Sequence, residues 1–188
     1  MGAKAKKGII GEVFEWLEAV VFSLCLVVII FTFIFRIVGV DGTSMFPTLN
    51  NKDRVVITNF FWKPKQNDIV VVTQPNSLNP KSKNEPLIKR IIAKEGQTVE
   101  FDFELGTVKV DGVLLDEPFI NDGKTTLQGD LESKAQVVVE KGKVFVMGDN
   151  RNNSKDSRFS EIGQIDTRYL LGKAVFRLYP FDSVGTLG

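Results

Sequence analysis

The sequence contains no histidine. That absence excludes the Ser-His-Asp triad, the H-E-x-x-H zinc site and the usual imidazole general base. Acid–base chemistry is left to lysine, to carboxylates or to a metal held by oxygen ligands. Cysteine is nearly absent: Cys25 stands alone inside an apolar run, so no intrachain disulfide can form. No sign of charge is in excess, with 24 lysines and arginines against 23 aspartates and glutamates in 188 residues. The signs interleave after the N-terminal segment, so no basic face for nucleic acid stands out and nucleic acid is excluded as a partner. Outside the apolar run, no segment sustains a helical period over about eleven residues. There is no internal repeat and no low-complexity tract.

The run itself is long. From Ala19 to Phe35 no residue is charged, and with Arg36 snorkelling the stretch continues through Ile37, Val38 and Val40. A bilayer core needs roughly 20 apolar residues, so 19–40 is read as a transmembrane anchor. A cleaved secretory signal has the same charged-then-oily order, but its apolar part is roughly 7–15 residues and a small-x-small site should follow it. No clear site of that kind does. Lys4, Lys6 and Lys7 precede the run against Arg36 alone close behind it, so 1–18 is expected to be a cytoplasmic tail and 41–188 an extracytoplasmic domain. At ~3.6 Å per extended residue, Ser44 lies within about 30 Å of Arg36, near the membrane surface.

Past residue 50, short runs rich in Val, Ile and Phe are separated by Gly, Asn, Asp and Pro: 54–58, 68–73, 87–93, 98–103, 107–112, 135–140, 143–148 and 172–179. These predict strands, and hence a mainly β, antiparallel domain. Val110-Asp111-Gly112 predicts a hairpin turn. Residues 74–86, with three prolines and few apolar side chains, and residues 121–134 predict exposed loops. Phe60, Phe61 and Trp62, followed by Lys63 and Lys65, cannot all face inward on a pleated strand. They read either as a strand end folded into the core or as an aromatic patch at the lipid interface.

Gly42-Thr43-Ser44-Met45-Phe46-Pro47-Thr48-Leu49 sets a serine in a turn bounded by Gly, Thr and Pro. A serine hydroxyl is a weak nucleophile until a base takes its proton, and without histidine the leading base is lysine. A solvated lysine has a pKa near 10.4, which burial can lower by ~3–5 units, so the base should sit among apolar neighbours. Lys89, Lys109 and Lys173 are flanked by strand residues, and sequence alone does not choose among them. Period two puts Lys89 on the face of Leu87 and Ile91, with Arg90 opposite beside Ile88 and Ile92, so both faces read as half-buried. Arginine keeps its charge and needs a partner whereas lysine can lose its proton, which makes Lys89 the better base. Each residue also has an ordinary reading, turn chemistry for the serine and snorkelling for the lysine.

A third stretch, Gly148 to Arg158, packs Asp149, Asn150, Arg151, Asn153, Ser154, Asp156 and Arg158 into one loop after a strand-like run. It is not a calcium loop: Arg151 occupies the third ligand position, and the glycine and glutamate of the sixth and twelfth are missing. No metal site is expected. Asn152-Asn153-Ser154 matches a glycosylation acceptor, a short pattern. A solvated turn is the bland alternative.

Together, "SMFPTL" (44–49), "IKRIIAKEG" (88–96) and "GDNRNNSKDSR" (148–158), in this order behind one anchor, closely resemble the type I signal peptidases. These are membrane-anchored Ser/Lys endopeptidases that remove signal peptides from exported proteins. The resemblance covers most of the chain, and a single span resembles the Gram-positive form. By position it implies Ser44 as nucleophile and Lys89 as general base. It also implies Ser154 as the hydroxyl that hydrogen-bonds and orients the amine, and Asp156 with Arg158 as the pair that braces the loop. It implies a β-rich catalytic domain beside a bacterial plasma membrane, with no cofactor. Its implied partners are the lipid bilayer and secreted preproteins carrying small residues, typically alanine, one and three residues before the cut. Some members have a hydroxyl side chain two residues before the nucleophile; Gly42 stands there, so oxyanion stabilisation is expected from the backbone N–H groups of Ser44 and Gly42. Ala93 and Glu95 replace the family's common Gly and Pro, which affects the turn after the strand. A second reading is a signal-peptidase-like assembly factor that binds a surface subunit such as a pilin without cutting it. Such relatives are expected to lack the nucleophile or the lysine, and this chain has both. A self-cleaving repressor-type peptidase is disfavoured, because a span stands where a DNA-binding domain is needed.

Overall fold

The computed structural model describes residues 8–73 and 86–187, and the chain divides into two compact units, Met1–Arg36 and Ile37–Gly188. The loop expected over 74–86 lies, but for Pro86, outside the described residues, as do Lys4, Lys6 and Lys7.

The first unit holds one helix, α1 (Ile9–Phe33). Within it Ile10–Ile30, whose most apolar 18-residue window has a mean hydropathy of 2.4, is long and apolar enough to cross a membrane. At 1.5 Å per residue that length is roughly 30 Å, the thickness of a bilayer core. The side chains from Glu12 to Ile29, Cys25 among them, are exposed. The helix both starts and ends earlier than the 19–40 expected for an anchor. Glutamate is a good helix former, so Glu12, Glu15 and Glu18 extend the helix well before Ala19. At the other end the helix stops at Phe33, with a last bond from the Ile34 N–H to Ile30 O at 2.9 Å. The β-branched Ile37 and Val38 belong instead to a strand, β1 (Phe35–Gly39).

The eight Val/Ile/Phe runs each contain a strand: β2 (Arg54–Thr58), β3 (Ile69–Val72), β4 (Leu87–Lys94), β5 (Thr98–Asp102), β6 (Thr107–Val110), β8 (Gln136–Val138), β9 (Lys143–Met147) and β11 (Leu170–Tyr179). Three two-residue strands carried no sequence signal: β7 (Val113–Leu114), β10 (Ile165–Asp166) and β12 (Gly185–Thr186). The larger sheet has the order β1-β2-β11-β3-β4-β9-β10, with β12 on β11, and the smaller sheet β7-β6-β5-β8. The registered pairings are antiparallel. Asp111 and Gly112, both at positive φ, make the β6–β7 hairpin turn; two left-handed residues in succession match the right-handed twist of the strands they join. Residues 121–134 contain no strand, and one short 3₁₀ turn interrupts them.

Core side chains come from both sheets. Ile92, Phe145 and Met147 of the larger sheet pack with Val99, Phe101, Val108 and Val110 of the smaller. A second cluster joins Met45 and Leu49 of the serine turn to Val55, Ile57, Val71 and Ile88. The serine turn is thus pinned by two apolar side chains that flank it. Burying each contributes about 1.5–3 kcal/mol. The aromatic trio is split: Trp62 packs against the sheet and its Nε1 donates to Asp68 Oδ2 at 2.9 Å, while Phe60 and Phe61 are exposed.

Candidate active site

The serine turn leaves β1 through Val40, whose N–H donates to Asp53 O at 2.8 Å. The turn then doubles back, with Phe46 N–H on Thr43 O at 3.1 Å and Leu49 N–H on Met45 O at 2.9 Å. Ser44 stands at its half-buried tip. Lys89 comes from the second half of the β3–β4 hairpin, opposite Val70 in register, in a strand buried on both faces from Ile88 to Ala93. Its Nζ donates to Ser44 Oγ at 2.7 Å. Lys89 is 3% exposed, and burial, the dominant cause, lowers its pKa from 10.5 to about 8; Asp156 and Asp149 pull in the opposite direction. At pH 7 about one such amine in ten is neutral, against less than one in a thousand for a solvated lysine. The other two lysines do not meet the serine. Lys109 is exposed, and Lys173 is held by Asp68 at 2.7 Å.

Arg90 points away from the amine, and each of its three guanidinium nitrogens has a partner. Its Nε and Nη2 donate to the two oxygens of Asp149 at 2.8 and 2.6 Å, its Nη1 to Asn67 O at 2.8 Å, and its guanidinium lies 3.9 Å over the Phe119 ring. This two-point contact fixes the start of the 148–158 loop against β4. Further along, Arg158 grips Asp156 through Nε and Nη2 at 2.8 Å each and donates to Arg151 O and Leu127 O. Asp156 in turn accepts from the Gly148 N–H at 3.0 Å, so the loop closes on itself. Arg151, which sequence reasoning left without a role, is fully buried between Glu117, Thr125 and Gly148 O. Nothing in the sequence marked Glu117 or Thr125; they come from the irregular segment between β7 and β8.

Ser154 is buried, and the hydrogen bond expected between its hydroxyl and the lysine amine is absent. Its Oγ has no hydrogen-bond partner among the described residues. It does lie at the site: a Cβ on Gly148 would overlap both Ser154 Oγ and the Ser44 carbonyl oxygen. Only glycine lets these two strands of chain meet.

The loop and the serine turn are tied directly. Asn150 N–H donates to Ser44 O at 3.0 Å, Asn150 Nδ2 to Thr43 O at 3.1 Å, Asn153 Nδ2 to Thr43 Oγ1 at 3.2 Å, and the Thr48 hydroxyl to Asp149 Oδ2 at 2.5 Å. The Gly42 N–H, expected as an oxyanion donor, is engaged by Asn51 Oδ1 at 3.1 Å. The Ser44 N–H has no partner among the described residues. No group of carboxylates, cysteines or histidines able to hold a metal occurs among the described residues. A hydroxyl in contact with a buried, easily deprotonated amine, beside a backbone donor that has no partner among the described residues, can carry out acyl transfer without a metal or an imidazole.

Such a constellation on a β-rich domain that follows an apolar helix belongs to the class of serine hydrolases that use an amine as base. Residues 13–179 match the family model described as signal peptidase, peptidase S26. The chain is 32% identical to signal peptidase I of Bacillus licheniformis, over 92% of each chain. It is 34% identical to signal peptidase IB of Staphylococcus aureus strain COL, over 91% of this chain and 92% of that one. A crystal structure of a signal peptidase I from Enterococcus faecalis V583 aligns with 60% of this chain and 97% of its own, at 24% identity and a TM-score of 0.44. The chain belongs to the signal peptidase family, peptidase S26.

Proposed function

We propose that the protein is a membrane-anchored serine endopeptidase that removes signal peptides from exported preproteins, with Ser44 as nucleophile and Lys89 as general base. The observation that carries the roles is the 2.7 Å contact between Lys89 Nζ and Ser44 Oγ, made by an amine whose pKa burial has lowered to about 8. Neutral Lys89 takes the hydroxyl proton as Ser44 Oγ attacks the scissile carbonyl. The resulting ammonium gives that proton to the leaving amine as the C–N bond breaks, which leaves an acyl-enzyme and a neutral lysine. The same amine then takes a proton from the water that hydrolyses the ester. The Ser44 N–H faces the developing oxyanion, and the buried Asp156–Arg158 pair holds the loop around Ser154 in place.

The helix α1 is the membrane anchor, with its N-terminus in the cytoplasm and the β domain on the outer face of a bacterial plasma membrane; Lys4, Lys6 and Lys7 ahead of the apolar run support this orientation. Preproteins with small residues one and three positions before the cut are the substrates. The non-cutting assembly factor is not favoured, since nucleophile and amine are both present and in contact. The test is cleavage of an Ala-x-Ala preprotein by purified full-length protein, with Ser44→Ala and Lys89→Ala each expected to abolish it while circular dichroism stays unchanged. Full activity in the lysine variant would reject the assignment.

A further inference from the structure

The Thr43–Ser44 peptide carries the donor at the nucleophile that has no partner among the described residues. A trans peptide is planar, so Thr43 C=O and Ser44 N–H point to opposite sides of one rigid unit, and whatever holds the carbonyl aims the N–H. Asn150 holds it. Its Nδ2 donates to Thr43 O and its backbone N–H to Ser44 O, which grips the carbonyls on both sides of the Ser44 Cα. Asn150 is 8% exposed, and its Oδ1 accepts from Asn121 Nδ2 at 3.4 Å. The Asn121 N–H donates to Asp149 O at 3.0 Å, so the amide is held from behind. Asn153 also reaches the turn, but from an exposed position and only to the Thr43 hydroxyl.

We propose that Asn150 is a positioning residue that aims the Ser44 N–H at the oxyanion through the Thr43–Ser44 peptide plane. The Gly42 N–H is already taken by Asn51, so stabilisation of the oxyanion depends on the direction of this donor. The bond to Thr43 O also polarises the peptide, which strengthens its N–H as negative charge develops. The inference rests on the Ser/Lys reading above and adds to it a residue whose side chain contacts neither the hydroxyl nor the amine.

The test uses full-length protein in detergent and the variants Asn150→Ala and Asn150→Asp, the second nearly isosteric and lacking the Nδ2 donor. An oxyanion donor removed outright changes kcat by roughly 10²–10³-fold, so a misaimed one should lower kcat about 10- to 100-fold with KM within about twofold. Affinity for a peptide aldehyde, whose hemiacetal oxygen occupies the oxyanion position, should fall by the same factor, while affinity for the matching peptide amide should not change. In Asn150→Ala the apparent pKa of the rate should stay near 8, because no charge around Lys89 changes, whereas the carboxylate of Asn150→Asp should raise it, as Asp156 and Asp149 already do. Cleavage and aldehyde binding within twofold of wild type in both variants would overturn the assignment. So would equal losses of aldehyde and amide affinity, which indicate a general collapse of the site. Ser44→Ala separates the two levels: if it is inactive while Asn150→Ala is unaffected, only the role of Asn150 fails; if it cleaves normally, the Ser/Lys reading fails and this inference with it.

Discussion

Lys89 and Arg90 are consecutive residues of β4, both buried, yet only the arginine has a carboxylate bonded to it. Its guanidinium takes both oxygens of Asp149, while Lys89 directs its amine to the Ser44 hydroxyl. An arginine keeps its charge at any ordinary pH and must be neutralised when buried; a lysine can give up its proton instead. The buried part of the strand therefore presents one permanent cation, matched, and one conditional cation, with no carboxylate bonded to it. The conditional one is the group available for proton transfer.

The rate of preprotein cleavage should follow the neutral fraction of Lys89. Below about pH 8 it should rise close to tenfold per pH unit, and it should level off above that value. A pH profile of kcat/KM measures this directly, and a rise centred near 10.5, the ordinary lysine value, would show that burial does not act on the amine.

Stability should respond to the same group with a definite sign. In the unfolded chain Lys89 holds its proton up to about pH 10.5, and in the folded chain only to about 8. Below pH 8 folding thus carries the full penalty, which is relieved as pH rises from 8 to 10.5. Lys89→Met, similar in length and without charge, should raise stability at pH 7 by about 3 kcal/mol, and the gain should fade by about pH 10.5. Urea unfolding of both proteins at pH 7 and 10.5 checks it.

Gly148→Ala should damage the site more than so small a change suggests. The added methyl would meet Ser154 Oγ, Ser154 Cβ and the Ser44 carbonyl, so either the loop or the serine turn must move. Overpacking of this kind costs about 1–3 kcal/mol, and a displaced Ser44 should lower kcat at least about tenfold. Thermal unfolding and cleavage assays on the same preparation measure both effects.

Removing half of the Asp156–Arg158 pair should cost far more than an exposed ion pair would. Both side chains are fully buried, so Arg158→Met leaves Asp156 charged without its partner and frees the carbonyls of Arg151 and Leu127. A loss of about 3–5 kcal/mol is expected. Arg158→Lys, which keeps the charge but not the planar fork, should recover only part of it. Equilibrium denaturation of the two variants separates charge from geometry.

Much of the β domain was legible because its strands are short Val/Ile/Phe runs cut by Gly, Asn and Asp, as in 54–58, where run and strand coincide. β1 was not, because Phe35–Gly39 continues the apolarity of α1 and composition cannot tell a helix end from a strand. The three two-residue strands exist only through their partners. At the site, local pattern singled out Ser44, Lys89 and the 148–158 loop, since each departs from its surroundings in residue type. Glu117, Thr125 and Asn121 were invisible: they lie in irregular chain and matter only because folding brings Arg151 and Asn150 to them. The Ser154 hydroxyl shows a further limit, for its neighbourhood follows from the motif but its bonding does not.

The grip between Thr43, Ser44, Thr48 and residues 149–153 joins parts of the chain about a hundred positions apart, and Arg177 adds a bond to Thr48 O from further still. A nascent chain that has emerged only through β4 already contains the Ser44 hydroxyl and the Lys89 amine, but not the residues that grip the serine turn. The polypeptide should therefore stay inert throughout its own synthesis and acquire the capacity to cut only when its last third has left the ribosome and docked.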